Sequence, residues 1–170
     1  YSTAFATVCA QFRGQESDFL SLCPGSASKE VPLLDALNKV STVCGIKVLE
    51  FSLPLLLDSM EEFAKINAFV RPRGFLGDFL ETKRTSLDAA DSSTERPVLA
   101  SLFGIVHNFP HAEVFPHLAR FFRSSEQVLV GINGVASRGT ADHLDSIRVQ
   151  YDNPPTTRWV SRFLIELGLD

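Results

Sequence analysis

The sequence predicts an α/β fold, a mostly parallel sheet with helices on both faces. Three observations carry that prediction. Strand-like and helix-like segments alternate along the 170 residues. The strand-like segments are continuous apolar runs such as "PVLASLFGIV" (97–106), not period-two stripes, and such strands need cover on both faces. Third, "FLSLCPGSASKEVPLLDALNK" (19–39) begins as a strand and ends as a helix, with a small-residue turn at 24–28. In open α/β sheets, ligands bind beyond the carboxyl ends of the strands, where this turn would lie.

The elements follow in order. Residues 2–13 read as a helix with Phe5, Val8, Cys9 and Phe12 on one face. "SDFLSL" (17–22) reads as the first strand. A helical period starts at Ser28, a candidate N-cap, with Val31, Leu34, Leu37 and then Val40 or Cys44 on one side and Leu33 adjacent. Pro32 is tolerated there only in the first turn. "GIKVLEF" (45–51) is the second strand. Ser52 and Pro54 start a helix carrying Leu56, Met60, Phe63 and Ala64.

"NAFVRPRGFLGDF" supplies a short third strand and a loop. The polar stretch 82–96 reads as a loop or a short exposed helix. The fourth strand is 97–106, followed by a helix over 112–123 with Val114, Leu118, Phe121 and Phe122 inward. "EQVLVGIN" (126–133) is a further buried strand. A polar helix near 139–149 and an amphipathic one near 155–167 complete the reading, which treats residues 1–170 as a single domain.

Composition narrows the function. A net charge of −4 and a pI near 5.6 leave no electrostatic footprint for nucleic acid. No apolar run reaches the ~20 residues of a membrane helix, and the start carries no signal-peptide pattern. The chain begins at Tyr1, not Met, so a trimmed chain or a piece of something longer is expected. Cys9, Cys23 and Cys44 are an odd number without a CxxC pair, so reduced thiols and a cytoplasmic location are expected, with Cys9 and Cys44 buried.

What the turn holds can be tested against known phosphate sites. A P-loop needs GxxxxGK[ST], and here Lys29 is preceded only by Gly25. A dinucleotide site needs GxGxxG, and here the first glycine position is Cys23 and the third is missing. A turn with one glycine suits a smaller ligand held by backbone amides. Glu50 ends the second strand beside the turn, where a carboxylate can accept two hydrogen bonds from a ribose diol. Gly77-Asp78-Phe79 follows the third strand, where Asp78 can accept from an adenine amino group and Phe79 can pack on the ring face. The plainer readings are a strand-end charge for Glu50 and an ordinary turn for "GDF".

With those residues in order, the chain resembles the S-adenosylmethionine-dependent methyltransferases of the histidine-specific, ergothioneine-type Nα-methyltransferase family. That family reads "ELGSGTxxKxxxLLxAL" at its first strand and turn, and "SLCPGSASKEVPLLDAL" keeps Leu22, Gly25, Lys29, Leu33, Leu34 and Leu37. The family's ribose acid matches Glu50 in "LEFS", and its "GDF" is Gly77, Asp78 and Phe79. Its "GNF" becomes "HNFP", which puts Asn108 at a substrate-binding Asn; its "YND" puts Tyr151 at a substrate-binding Tyr. Ser21, Cys23 and His107 depart from an acid, a glycine and a glycine. The family's N-terminal substrate segment is mostly absent, with Tyr1 as a candidate remnant, and the family continues past Asp170.

The resemblance implies a Rossmann-like class I methyltransferase core, truncated at the C-terminal end, that binds S-adenosylmethionine. It implies a cofactor set of Cys23, Gly25, Ser26, Lys29, Glu50, Asp78 and Phe79, with Lys29 directed at the methionine carboxylate. Asn108 and Tyr151 would hold a small amine acceptor, an amino acid such as histidine; a related branch methylates tryptophan-derived amines. The mechanism is one of proximity, worth ~7–11 kcal/mol, with no catalytic side chain required. No metal is expected: His107 and His111 are four apart, but Pro110 interrupts a helix there, and His117 and His143 complete no set. A Cys23–His107 nucleophile pair has no supporting motif. The rival from another class is a catalytically silent cofactor-binding or scaffold domain.

Overall fold

The computed structural model describes residues 2–89, 96–131, 152 and 154. The chain divides into two compact units, Tyr1–Ile132 and Asn133–Asp170, and the architecture below is that of the first. The expected helices near 139–149 and 155–167, together with Tyr1, Tyr151 and His143, lie outside the described residues.

The order is α1 (Ser2–Cys9), β1 (Glu16–Leu22), α2 (Glu30–Asn38), β2 (Thr42–Glu50), α3 (Leu53–Ile66), β3 (Arg73–Leu76), α4 (Arg84–Asp88), β4 (Val98–Phe103), α5 (His111–Phe121) and β5 (Gln127–Gly131). A 3-10 turn, Ala10–Phe12, ends the first helical segment. The five strands are all parallel in the order β3-β2-β1-β4-β5. The winding reverses between β1 and β4, so the crevice at their carboxyl ends is the expected ligand position of such a sheet.

The two faces can be read from the strands. In β1, Phe19 packs with the apolar residues of α1, α2 and α3, while Leu20 and Leu22 pack with Leu87 of α4 and Val114 and Phe121 of α5. β4 repeats the pattern, with Leu99 and Phe103 on the first face and Val98, Ala100 and Leu102 on the second. Both central strands are thus apolar on both sides, which is why they read as runs and not as alternations. One polar pair sits between them: Ser21 and Ser101 are in register, both buried, with their hydroxyls 3.5 Å apart. No helix among the described residues is long and apolar enough to cross a membrane.

Several local expectations are corrected. α2 begins at Glu30 with Lys29 at its N-cap and no side-chain cap, so Ser28 does not cap it; the backbone does the work, with Val31 N donating to Ala27 O at 2.9 Å. Cys44 belongs to β2, which starts earlier than its apolar run, and is half-buried, not enclosed. Cys9 is buried, at 1% exposure. Ala64 is exposed, and Ser59 takes the inward position between Leu56 and Phe63 with its hydroxyl donating to Leu56 O. The stretch after residue 82 is not merely an exposed loop. It contains α4, whose Leu87 is fully buried, and an ion-pair network joins Lys47, Arg84 and Arg123 to Asp88, and Arg84 to Glu126.

Candidate functional site

The turn after β1 is built from three left-handed residues: Cys23 (φ 51°), Gly25 (φ 57°) and Ala27 (φ 55°). Two of the three are not glycine, so this backbone carries strain that only a glycine would avoid. Cys23 is one of the two non-glycine residues held at a left-handed φ, the conformation that glycine adopts most readily. Cys23 N donates to Leu49 O at 2.7 Å, which binds the start of the turn to β2.

Glu50 closes the other side. It is 3% exposed, and Gly25 N donates to its Oε2 at 3.2 Å. Phe51 N and Ser52 N donate to Oε1 at 2.9 and 3.2 Å. A carboxylate offers about four lone-pair positions, and three are used. The buried charge is therefore held by backbone dipoles and keeps capacity for one further donor.

Beside β2, Gly77 N donates to Glu50 O at 3.1 Å and brings Asp78 to the same edge. Asp78 is exposed; Leu80 N donates to its Oδ1 at 2.7 Å, and its carbonyl accepts from Thr82 N and Oγ1.

A cavity of about 360 Å³ lies among these groups, within the roughly 300–1,000 Å³ of small-molecule sites. Six residues singled out in the sequence line it: Cys23, Gly25, Glu50, Asp78, Phe79 and Asn108. Sequence reasoning missed Phe51, Leu55, Ile105 and Phe109, which supply its apolar wall. Phe51, directly after the last residue of β2, is 74% exposed.

Other expected residues are positioned differently. Phe79 is 1% exposed, its ring packed near Phe109, His117 and Phe121, so it is a wall of the cavity and not an open stacking platform. Ser26 is exposed and is not among the lining residues. Lys29 lines a separate groove between α1 and α2, and its Nζ lies 3.5 Å from where a side chain at Gly104 would begin, beside the carboxyl end of β4. Asn108 is exposed in the 3-10 turn Val106–Asn108, and the N-cap of α5 is Pro110, so Asn108 is not the cap of that helix.

Burial pushes the Cys23 thiol up to about 12, with the Glu50 and Asp78 charges adding to it. Such a thiol stays protonated at neutral pH, which disfavours the Cys23–His107 nucleophile reading. Glu30, 2% exposed in the first turn of α2, is pushed up to about 7 by burial. Backbone N–H groups and Lys29 oppose that rise, while Glu50 adds to it. Among the described residues no group of three His, Cys, Asp or Glu side chains is arranged to hold a metal ion.

No family model matches the chain, and no curated protein matches it by sequence. Solved structures do. A Methanococcus maripaludis protein assigned to the S-adenosyl-L-methionine-dependent methyltransferases matches over 99% of this chain and 74% of its own, at 18% identity and a TM-score of 0.54. A protein of Thermobifida fusca assigned as a methyltransferase matches over 89% of this chain and 56% of its own, at 14% identity and a TM-score of 0.55. The S-adenosylmethionine-dependent methyltransferase of Geobacter sulfurreducens, crystallised with S-adenosyl-L-homocysteine, matches over 80% of this chain and 50% of its own, at 15% identity and a TM-score of 0.52. The fold is thus the Rossmann-like class I methyltransferase fold, and the chain spans about half the length of two of these three neighbours.

Proposed function

We propose that the chain is the cofactor-binding core of an S-adenosylmethionine-dependent N-methyltransferase acting on a small amine. The observation that carries the reading is Glu50. It is a buried strand-end carboxylate, hydrogen-bonded to Gly25 in the wall of a cavity at the switch point, with one lone-pair position to spare. That arrangement fits a ribose hydroxyl. A second hydroxyl would take over the 3.2 Å bond from Gly25 or from Ser52, the longest of the three. Asp78 Oδ2 is the acceptor suited to an exocyclic adenine amine, and Phe51, Leu55 and Phe109 supply apolar surface for the ring.

When bound, the cofactor supplies an electrophilic methyl group on a sulfonium. The chain supplies position. Cys23, Gly25 and Glu50 fix the ribose end. Asn108, exposed at the carboxyl edge of β4 and not spent on a helix cap, offers both a donor and an acceptor to the carboxylate and amine of an amino acid. An α-amine with a pKa near 8 loses its proton at modest cost, so no strong base is required. Histidine is the leading acceptor on the motif resemblance, and Tyr151 is proposed as its second hydrogen-bond partner. A small-molecule acceptor and a cytoplasmic setting belong to the same reading. In this reading Lys29 reaches the cofactor's methionine carboxylate from its place beside Gly104, and Ser26 lends the turn its small side chain.

A catalytically silent binding domain is the second reading. Cys23 favours it, since it narrows the turn where the family has a glycine, at a left-handed φ. Calorimetry with S-adenosyl-L-homocysteine tests the cofactor, and a methyl-transfer assay over an amino-acid panel separates enzyme from silent binder. Absence of binding by the parent chain would overturn both readings.

A further inference from the structure

A second cavity, of about 410 Å³, opens between the segment after β3 and helix α5. It shares no lining residue with the first. The ring of Phe79 stands between them, since Phe79 lines the first and packs on His117 (4.7 Å) and Phe121 (5.5 Å), which line the second.

Its charge is at odds with the rest of the protein. The chain carries a net −4, yet this cavity gathers Lys83, Arg84 and Arg120 against a single carboxylate, Glu81. Arg84 is already committed. Its guanidinium grips Glu126 through two nitrogens, at 2.6 and 3.4 Å, and donates to Asp88 at 3.1 Å. The Lys83 and Arg120 side chains have no hydrogen-bond or ion-pair partner among the described residues, and both are exposed at the rim. Two hydroxyls, Thr82 and Thr85, stand with them. The Thr82 hydroxyl donates to Asp78 O at 2.6 Å and so is left as an acceptor, while the Thr85 hydroxyl has no partner among the described residues. Leu80 and Phe121 form an apolar back wall, beside the His117 ring, whose buried Nε2 has no hydrogen-bond partner among the described residues.

We infer that this cavity is an anion site for a phosphate group, with Lys83 and Arg120 as its charged ligands and the Thr85 hydroxyl as a donor. A tetrahedral dianion presents several oxygens, which suits two separated cations and a hydroxyl; a planar carboxylate is met best by one bidentate arginine. A cationic concavity on an acidic protein also concentrates anions locally and repels them elsewhere. The apolar back wall accommodates an organic substituent, whereas a bare phosphate leaves it uncovered.

The test is calorimetric titration of the 170-residue chain at low salt with phenyl phosphate, inorganic phosphate and benzoate. Both phosphate probes bind and benzoate does not. The double variant Lys83→Ala/Arg120→Ala weakens phosphate binding by at least about tenfold, the scale of losing charged hydrogen bonds, while its melting temperature without ligand matches the parent. Tighter binding of phenyl phosphate than of inorganic phosphate identifies a phosphorylated organic ligand; equal binding identifies free phosphate. Three results would overturn the site: no binding of either phosphate probe at millimolar concentration, unchanged affinity in the double variant, or displacement of the probe by S-adenosyl-L-homocysteine. The last would put the anion in the other cavity. The charge-conserving Lys83→Arg/Arg120→Lys variant retains binding within a few-fold if charge and position, not mere bulk, make the site.

Discussion

Gly25 N donates to Glu50 Oε2 at 3.2 Å, a bond that joins the turn after β1 to the end of β2, 25 residues on, where both residues line the cavity. The same carboxylate also accepts from Phe51 and Ser52, so its geometry is set before any ligand arrives. Preorganisation of this kind lowers the cost of binding. Glu50→Gln is expected to weaken S-adenosyl-L-homocysteine by about 1.5–3 kcal/mol, the scale of a hydrogen bond to a charged group. Calorimetry reads this directly, and unimpaired affinity in a folded Glu50→Gln chain removes Glu50 from the cofactor site.

Cys23 sits at φ 51°, where a side chain is disfavoured. Glycine normally destabilises relative to alanine by roughly 0.5–1 kcal/mol because it loses more freedom on folding. At this position the order reverses. Cys23→Gly is expected to be more stable than Cys23→Ala by about 1 kcal/mol, since the left-handed conformation costs an alanine about 1–2 kcal/mol. Denaturant unfolding of the two variants measures the difference; an alanine variant as stable as the glycine variant contradicts a strained turn.

The three thiols also differ in accessibility. Cys44 is half-buried near the start of β2, Cys23 lines the cavity with its thiol pushed up to about 12, and Cys9 is enclosed at 1% exposure. Alkylation at neutral pH is therefore expected to modify Cys44 first, Cys23 slowly and Cys9 last. S-adenosyl-L-homocysteine then slows Cys23 alone. Protection of Cys44 to the same degree, read by peptide mass, argues against a ligand at the turn.

The sheet was legible because its central strands are apolar on both faces, and a continuous run such as 97–106 leaves water only where both sides of a strand are covered. The turn was legible as a turn, and Glu50 as its neighbour, because strand ends are marked by the change of period. Depth was harder. Phe79 reads the same in sequence whether it faces a ligand or a core, and it faces the core because His117 and Phe121 of α5, far along the chain, close over it. Lys29 has a long flexible stem, so its place at the helix start does not say which side it serves; it lines the α1–α2 groove. The cap of α2 was misread at Ser28 because the left-handed backbone at Ala27, which fixes the helix entry, leaves no mark in composition.

Glu30 makes stability depend on pH. Its carboxyl is pushed up to about 7 by burial in the folded chain and reverts toward about 4.5 on unfolding. The folded state thus binds the proton more tightly, and this group's contribution falls as pH rises from about 4.5 through about 7. Glu30→Gln removes the titration. It is expected to be more stable than the parent at pH 8, by an amount on the order of 1–3 kcal/mol, and close to it at pH 5. Melting curves at the two pH values decide this, and a parallel pH dependence in both proteins shows that Glu30 is not the source.

Asn108 offers the sharpest separation of substrate handling from structure. Asparagine before a helix is commonly a cap, and replacing a cap by alanine costs about 1 kcal/mol. Here the N-cap of α5 is Pro110, and Asn108 lies exposed in the preceding turn, lining the cavity. Asn108→Ala is therefore expected to change stability by less than about 0.5 kcal/mol, as surface substitutions do. Its effect falls on the acceptor. Asn108→Asp keeps the shape and an acceptor atom but loses the amide donor and adds a charge that repels an amino-acid carboxylate. In a methyl-transfer assay with an acceptor the parent uses, both variants are expected to lose transfer, Asn108→Asp most completely. Their affinity for S-adenosyl-L-homocysteine stays within a few-fold of the parent. Methylation by Asn108→Asp at the parent's rate would mean that the acceptor does not meet this residue.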